Sequence, residues 1–274
     1  MKRIAIVALA TCLSPAVHAQ QAGDNLAVLG WFHVAPQQSS TPLTTSVAPT
    51  PINTPLRLPN SFTSAGTGLS TNNADTAGLV FSHFLTDHIA LTSVAGVPPK
   101  FKVYGHGTIQ PPGPAGALGS QNIGDPSVNP IIKSVRQWSP AAILQYYFNN
   151  PTAKFRPFVG LGVSYNWFSD IQLNPNFVTS TQNNLGSVLA AGAGKPGTTQ
   201  VSAKASSSWQ PVFNAGAEYN ITDRWGVVAS VTYIPLKTTS SVIVKAADGT
   251  ELAVSKAELK ADPIISFLAV SYRF

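Results

Sequence analysis

The final segment of the chain constrains its fold most tightly. Ile264, Ser266, Leu268, Val270, Tyr272 and Phe274 share one face of an extended strand, and Ile265, Phe267, Ala269, Ser271 and Arg273 share the other. Four earlier segments, 138–148, 157–167, 209–221 and 225–233, alternate in the same way. In each, one face is apolar with aromatics near both ends, and the other is small, polar or mixed. A soluble sandwich turns its apolar face inward and has no reason to gather aromatics at strand ends. In a membrane barrel the apolar face meets lipid, and Trp and Tyr sit at the two head-group levels. Each segment is close to the ~10 residues a tilted strand needs to cross a bilayer. Lipid offers no hydrogen-bond partner to an open edge, so such a sheet must close. Three weaker alternations, 26–34, 76–84 and 89–97, bring the expected strands to eight, an even number. The expected fold is all-β, an eight-stranded antiparallel transmembrane β-barrel of up-and-down type.

Composition agrees. Only 10 % of residues are charged, against about 25 % in ordinary soluble domains. No apolar run after the N-terminus approaches the ~20 residues of a membrane helix. The formal charge is +6, or +4 once Lys2 and Arg3 are subtracted. That excess points to anionic neighbours such as outer-membrane phospholipid and lipopolysaccharide. The basic residues form no run and no patch interleaved with aromatics, so nucleic acid is not an expected partner.

Lys2-Arg3, the apolar stretch 4–13, Pro15 and Val17-His18-Ala19 read as a secretory signal peptide over 1–19, leaving 20–274 as the barrel. A lipoprotein site at Cys12 is the alternative, disfavoured by Thr11 before it. Cys12 is the sole cysteine, so the mature chain is expected to hold together without disulfides. Short connections at 85–88, 149–154 and 222–224 alternate with long ones at 35–75, 104–137, 171–207 and 237–262. The long ones hold most of the Pro, Gly, Ser and Thr, and are expected as extracellular loops opposite short periplasmic turns. A terminal Phe274 on an alternating strand is the usual handle for the outer-membrane assembly machinery.

The motifs resemble those of the OmpW family of small outer-membrane proteins. The most specific stretch is Lys154-Phe155-Arg156-Pro157-Phe158-Val159-Gly160-Leu161-Gly162-Val163, running into Tyr165 and Asp170. Leu144-Gln145-Tyr146-Tyr147-Phe148, Thr86-Asp87-His88-Ile89, and Asp262-Pro263 leading to Ser271-Tyr272-Arg273-Phe274 support it. The resemblance implies a channel for facilitated diffusion of small hydrophobic molecules, with lateral release into the bilayer. It equally accommodates a non-conducting barrel whose outer loops act as a receptor or adhesion surface.

Eight strands leave an interior only just wide enough for side chains, so a wide aqueous pore is not expected. By parity, Val28, Phe32, Val94, Val212, Val228 and Ile234 point inward beside Gly78, Gly96, Gly160, Gly162 and Gly216. Val94, Thr232, Phe32, Val228 and Ile234 are candidates for the lumen or a constriction, although the same residues suit plain filling. The resemblance places the constriction near Val94 and Thr232, and Thr232 departs from the bulky aromatic the family pattern calls for. Pro98, Pro99 and Pro140 lack N–H donors on adjacent strands and are candidates for a lateral exit; simple strand termination is the alternative. Glu218, Arg273, Arg156 and Lys154 are candidates for a polar plug on the periplasmic side.

His33, His83, His88 and His106 show no metal-ligand spacing. Ser82-His83 is the one adjacent Ser-His pair, its side chains point to opposite faces of a strand, and no G-x-S-x-G occurs. Neither catalysis nor a cofactor is expected. The remaining rivals are a secreted soluble β-protein and a lipid-modifying barrel enzyme.

Overall fold

In the computed structural model, which describes residues 21–274, eight antiparallel strands close into a barrel. They are β1 (Asn25–Ala35), β2 (Ala74–Phe84), β3 (Ile89–Gly96), β4 (Ala141–Tyr147), β5 (Phe155–Leu173), β6 (Ser208–Asn220), β7 (Trp225–Tyr233) and β8 (Ile264–Arg273). Each pairs with its neighbour in sequence, and β8 returns to β1 from Leu26↔Arg273 to Ala35↔Ile264. No barrel strand is left as an edge, which is what hydrocarbon demands of a sheet. The expected signal peptide and Cys12 lie outside the described residues.

The alternation of the sequence becomes the inside and outside of this ring. Leu29, Leu79, Leu91, Leu144, Leu161, Val163, Val231 and Leu268 stand exposed on the outer wall. Aromatics border them at both ends. Phe148, Tyr219, Trp225 and Phe274 lie at the end carrying the chain termini and short turns, and Trp31, Trp209 and Tyr233 at the other. Each large apolar side chain is worth about 1.5–3 kcal/mol on leaving water, and a soluble monomer does not expose so continuous an apolar surface. Lipid covers this band, and the soluble-protein alternative falls.

Close strand approach depends on two glycines of β5. A Cβ on Gly162 would stand 2.2 Å from the Ala142 carbonyl oxygen and 2.7 Å from Ile143 Cα, both backbone of β4. A Cβ on Gly160 would meet Ile143 Cγ2 at 2.8 Å and Gln145 Cγ at 3.0 Å. Gly162→Val therefore forces the β4–β5 ladder apart where lipid allows no unpaired backbone. The expected result is loss of most of the fast-migrating folded form in unheated gel samples. Gly160→Ala, which presses mainly on side chains, retains it. Equal folding of Gly162→Val and wild type would refute this account of the ladder.

The four long connections differ from the expectation of loops. Ser39–Ser40, Leu43–Val47, Ser61–Ser64, Gln200–Ala205, Lys237–Lys245 and Glu251–Lys260 form a six-stranded sheet above the barrel. Opposite it, the upper half of β5 carries Ile132–Trp138, then Lys100–His106, then Gly68–Thr71. Leu43, Phe62, Leu69, Phe101, Val103, Ile123, Ile132, Phe177, Leu252 and Leu259 pack between the two walls as a continuous apolar core. Helix α1 (Pro175–Thr181) and helix α2 (Ser187–Gly192) contribute Phe177 and Leu189 to it. Beyond α2, Lys195 Nζ lies 2.6 Å from Asp248 and, by hydrogen bonding, holds that carboxyl down at about 2. The sequence hid this outer domain in part because its sheet joins distant segments, such as Val47 with Ala253, and three of its strands have only two to five residues.

Candidate functional site: an apolar lumen and a break in the wall

The expected third strand, 89–97, is found as Ile89–Gly96, while the expected fourth, 138–148, begins only at Ala141; above them the chain forms two further strands, Lys100–His106 and Ile132–Trp138. The ladder between β3 and β4 runs from Tyr146↔Ile89 up to Ala141↔Val94 and stops. Pairing resumes above, where Gln137 N–H donates to the Pro99 carbonyl at 3.1 Å and Arg136 stands opposite Lys100. Residues 95–98 and 138–140 lie between. Pro98, Pro99 and Pro140 bring no N–H to this stretch, so the ladder has lost donors it would need to zip shut. The flanking strands hold both sides in place. Val97 N–H donates to Ala77 on β2, and Tyr165 N–H on β5 donates to the Pro140 carbonyl. The interruption is confined to one strand interface.

A cavity of about 360 Å³ fills the barrel behind this break. Val28, Phe32, Val80, Val94, Val212, Val228, Ile234 and Phe267 line it, and it is largely apolar. Its wall also includes Pro98, Pro99, Trp138, Ser139, Pro140 and Val97. Val97, itself 63 % exposed, thus belongs to the cavity lining at the point where the β3–β4 ladder is interrupted. Trp138 and Trp167 stack at this edge, 5.6 Å between ring centroids and 1° between planes. The lumen candidates Val94, Thr232, Phe32, Val228 and Ile234 all border this one cavity, as do all three prolines.

Thr232 does not act there as a bulky constriction. It ends a belt of inward polar side chains that the sequence reading did not single out. Ser82 Oγ lies 2.7 Å from Thr92 Oγ1, which donates to Gln145 Oε1 at 2.6 Å. Gln145 Nε2 donates to Asn214 Oδ1 at 2.8 Å, and Asn214 Nδ2 donates to Thr232 Oγ1 at 2.9 Å. Gln145 on β4 reaches Asn214 on β6 across β5 because the residue between them in register is Gly160. The belt satisfies its own polar groups, which keeps their burial from being costly. The only sequence signal for it was polar residues at inward parity.

Towards the termini the lumen is solid. Tyr147 and Phe158 form the cavity floor. Beneath them Arg156 is fully buried, with Nη2 donating to the Asp87 carbonyl at 2.6 Å and its guanidinium over Tyr147 and Phe84 at 5.2 and 5.7 Å. Glu218 stands opposite Arg156 in register and accepts from Ser271 Oγ at 2.7 Å. Arg273 lies at the rim, 4.0 Å from Asp24. The expectation for Lys154 needs correction: it sits in the turn before β5 with its side chain exposed, and takes no place among these groups. Its expected position is inward or at the rim, but the strand begins one residue later, at Phe155.

Two smaller apolar cavities lie in the outer domain. One of about 50 Å³ borders Val34, Phe101, Val135 and Leu236, and one of about 70 Å³ lies between the outer sheets beside Leu43, Phe62 and Phe177. Ser82 and His83 serve the fold, His83 Nδ1 lying 2.9 Å from Asn25 Oδ1. Among the described residues no three His, Cys, Asp or Glu gather as metal ligands.

The OmpW family model matches residues 41–274. Outer membrane protein W of Vibrio cholerae serotype O1 is 27 % identical over 270 residues, covering 98 % of this chain and 97 % of that protein. Outer membrane protein W of Escherichia coli K12 is 25 % identical over 276 residues, covering all of both. The crystal structure of the outer membrane protein OprG from Pseudomonas aeruginosa superposes with a TM-score of 0.67 at 20 % identity, over 94 % of this chain and 98 % of that one. With a closed barrel, a lipid-facing apolar band and these relatives, the chain belongs to the OmpW family of outer-membrane proteins.

Proposed function

We propose that this barrel lets small hydrophobic molecules cross the outer membrane by facilitated diffusion and releases them sideways into the bilayer between β3 and β4. The observation that carries the reading is one cavity, apolar inside, whose lining includes Val97, Pro98 and Pro140 at the interrupted ladder and, below, Tyr147 and Phe158 above the buried Arg156. An apolar solute in that space gains nothing by continuing downward, where it meets a buried charge. Moving outward through the wall brings it to hydrocarbon. The polar belt gives the lumen a few fixed hydrogen-bonding groups and leaves most of the cavity surface apolar.

Whole-cell uptake tests this. Cells lacking the protein are compared with restored cells, using a hydrophobic probe and a hydrophilic one of similar size. The expected result is faster uptake of the hydrophobic probe alone. Pro98→Ala with Pro140→Ala restores two N–H donors at the break, each worth about 0.5–1.5 kcal/mol if paired. The wall is biased shut, and uptake falls several-fold with the barrel still folded. Unchanged uptake in that double variant would remove the lateral route. A receptor or adhesion role is the second reading, favoured by one observation: the outer segments form sheets with their own core, hence a shaped surface. It predicts no probe-dependent uptake at all.

A further inference from the structure

Above the wall break, the outward face of the strands carrying Lys100–His106 and Ile132–Trp138 concentrates positive charge. Lys100 stands opposite Arg136 in register, Lys102 follows two residues on, and Lys133 lies on the neighbouring strand. Residues two apart on a strand share a face about 7 Å apart, and neighbouring strands lie about 4.8 Å apart; the irregularity between Ile132 and Val135 lets Lys133 share the outward face with Arg136, and the exposed side chains of all four cations make one patch. Asp170 lies against it, 3.2 Å from Arg136. Among the described residues, Lys100, Lys102 and Lys133 enter no ion pair. Like charges directly opposite on paired strands repel; Asp170 offsets Arg136, and the three lysines leave a positive excess that an anion lying over them would relieve.

Its height selects the anion. The lipid-facing band ends at this side in Trp209, which is 70 % exposed, and in the stacked Trp138 and Trp167. Such aromatics mark the head-group level. Arg136 is two residues above Trp138, and Trp138 Nε1–H donates to Ser169, the register partner of Arg136. The cations therefore begin one step above the indoles, where the outer leaflet presents its phosphates. We propose that Lys100, Lys102, Lys133 and Arg136 form a binding site for the phosphate groups of the outer-leaflet glycolipid. Lys supplies point charges and the Arg fork supplies paired donors. A glycolipid seated there would stand beside the wall opening. The proposal needs only the outer-membrane location of the chain and stands whether or not solutes pass.

The test uses the full mature barrel, purified and folded in neutral detergent, with intrinsic tryptophan fluorescence, to which Trp138 and Trp167 contribute beside the patch, as readout. The probes are purified lipopolysaccharide, the same glycolipid after phosphatase treatment, and inorganic phosphate. Wild type is expected to bind intact glycolipid saturably, and phosphatase treatment to weaken binding at least about tenfold, since cations near a charged membrane surface act cumulatively. Lys100→Gln with Lys102→Gln and Lys133→Gln is expected to lose as much while keeping its heat-dependent gel shift. A triple of equal charge change on the other outer sheet, Lys237→Gln with Lys245→Gln and Lys256→Gln, is expected to bind like wild type. The proposal is overturned if the first triple binds normally, if both triples weaken alike, or if dephosphorylated glycolipid binds as well. Displacement by inorganic phosphate at equal concentration would also overturn it, since the patch would then be a free-phosphate site.

Discussion

Val94→Trp is expected to slow uptake of a hydrophobic probe by about 5- to 150-fold while leaving the barrel folded. Val94 is the last paired residue of β3 below the break, and its side chain borders both the cavity and the opening. An indole there occupies space that a passing solute needs, and the solute must then displace packed side chains. Overpacking of that kind costs about 1–3 kcal/mol, which as an added barrier gives the stated range. Folding should tolerate the change, because the ring enters an existing cavity of about 360 Å³ rather than a filled core. Val94→Ala is the control, widening the same point, and should transport at least as well as wild type. Whole-cell uptake, with the unheated gel shift to verify folding, reads both. Equal rates for Val94→Trp and wild type would mean that solutes do not pass this point.

Arg156→Met should destabilise the barrel by about 3–5 kcal/mol. Arg156 fills the floor of the lumen, donating to the Asp87 carbonyl and covering the rings of Phe84 and Tyr147. Met keeps apolar bulk but leaves the buried Glu218 without the cation across the ladder. Breaking a buried charge pair from one side costs about 3–5 kcal/mol. Replacing both partners is far cheaper, so Arg156→Met with Glu218→Leu should recover most of the loss. Arg156→Lys should lie between, because an ammonium retains charge but neither the planar stacking nor the forked donors. Equilibrium urea unfolding in lipid vesicles measures all three. A double variant no more stable than the single would show that the pairing of charges is not what holds this layer. Because the plug sits below the cavity, Arg156→Met should affect hydrophobic uptake less than Val94→Trp does.

Both variants were placed by different kinds of information. Arg156 and Glu218 could be read as inward from parity alone, since each lies on a long, clean alternation. Lys154 could not, because parity says nothing about where a strand begins, and a one-residue difference moves a side chain from lumen to solvent. The prolines were legible as missing donors. That their absence opens one strand interface and no other depends on β2 and β5 holding the two flanks.

By itself the sequence determined the barrel, its two faces, its eight strands and its lipid-covered band. Those properties depend on period-two alternation and on closure in hydrocarbon, and each strand declares its own faces whatever its neighbours are. Tertiary structure alone decided the polar belt from Ser82 to Thr232, because Gln145 meets Asn214 only when Gly160 falls between them in register. It also decided the outer domain, where segments that read as loops find partners up to about two hundred residues away, Val47 opposite Ala253. Local pattern fixes which way a side chain points. Register and long-range pairing fix what it meets, and those are set by the closure of the whole sheet.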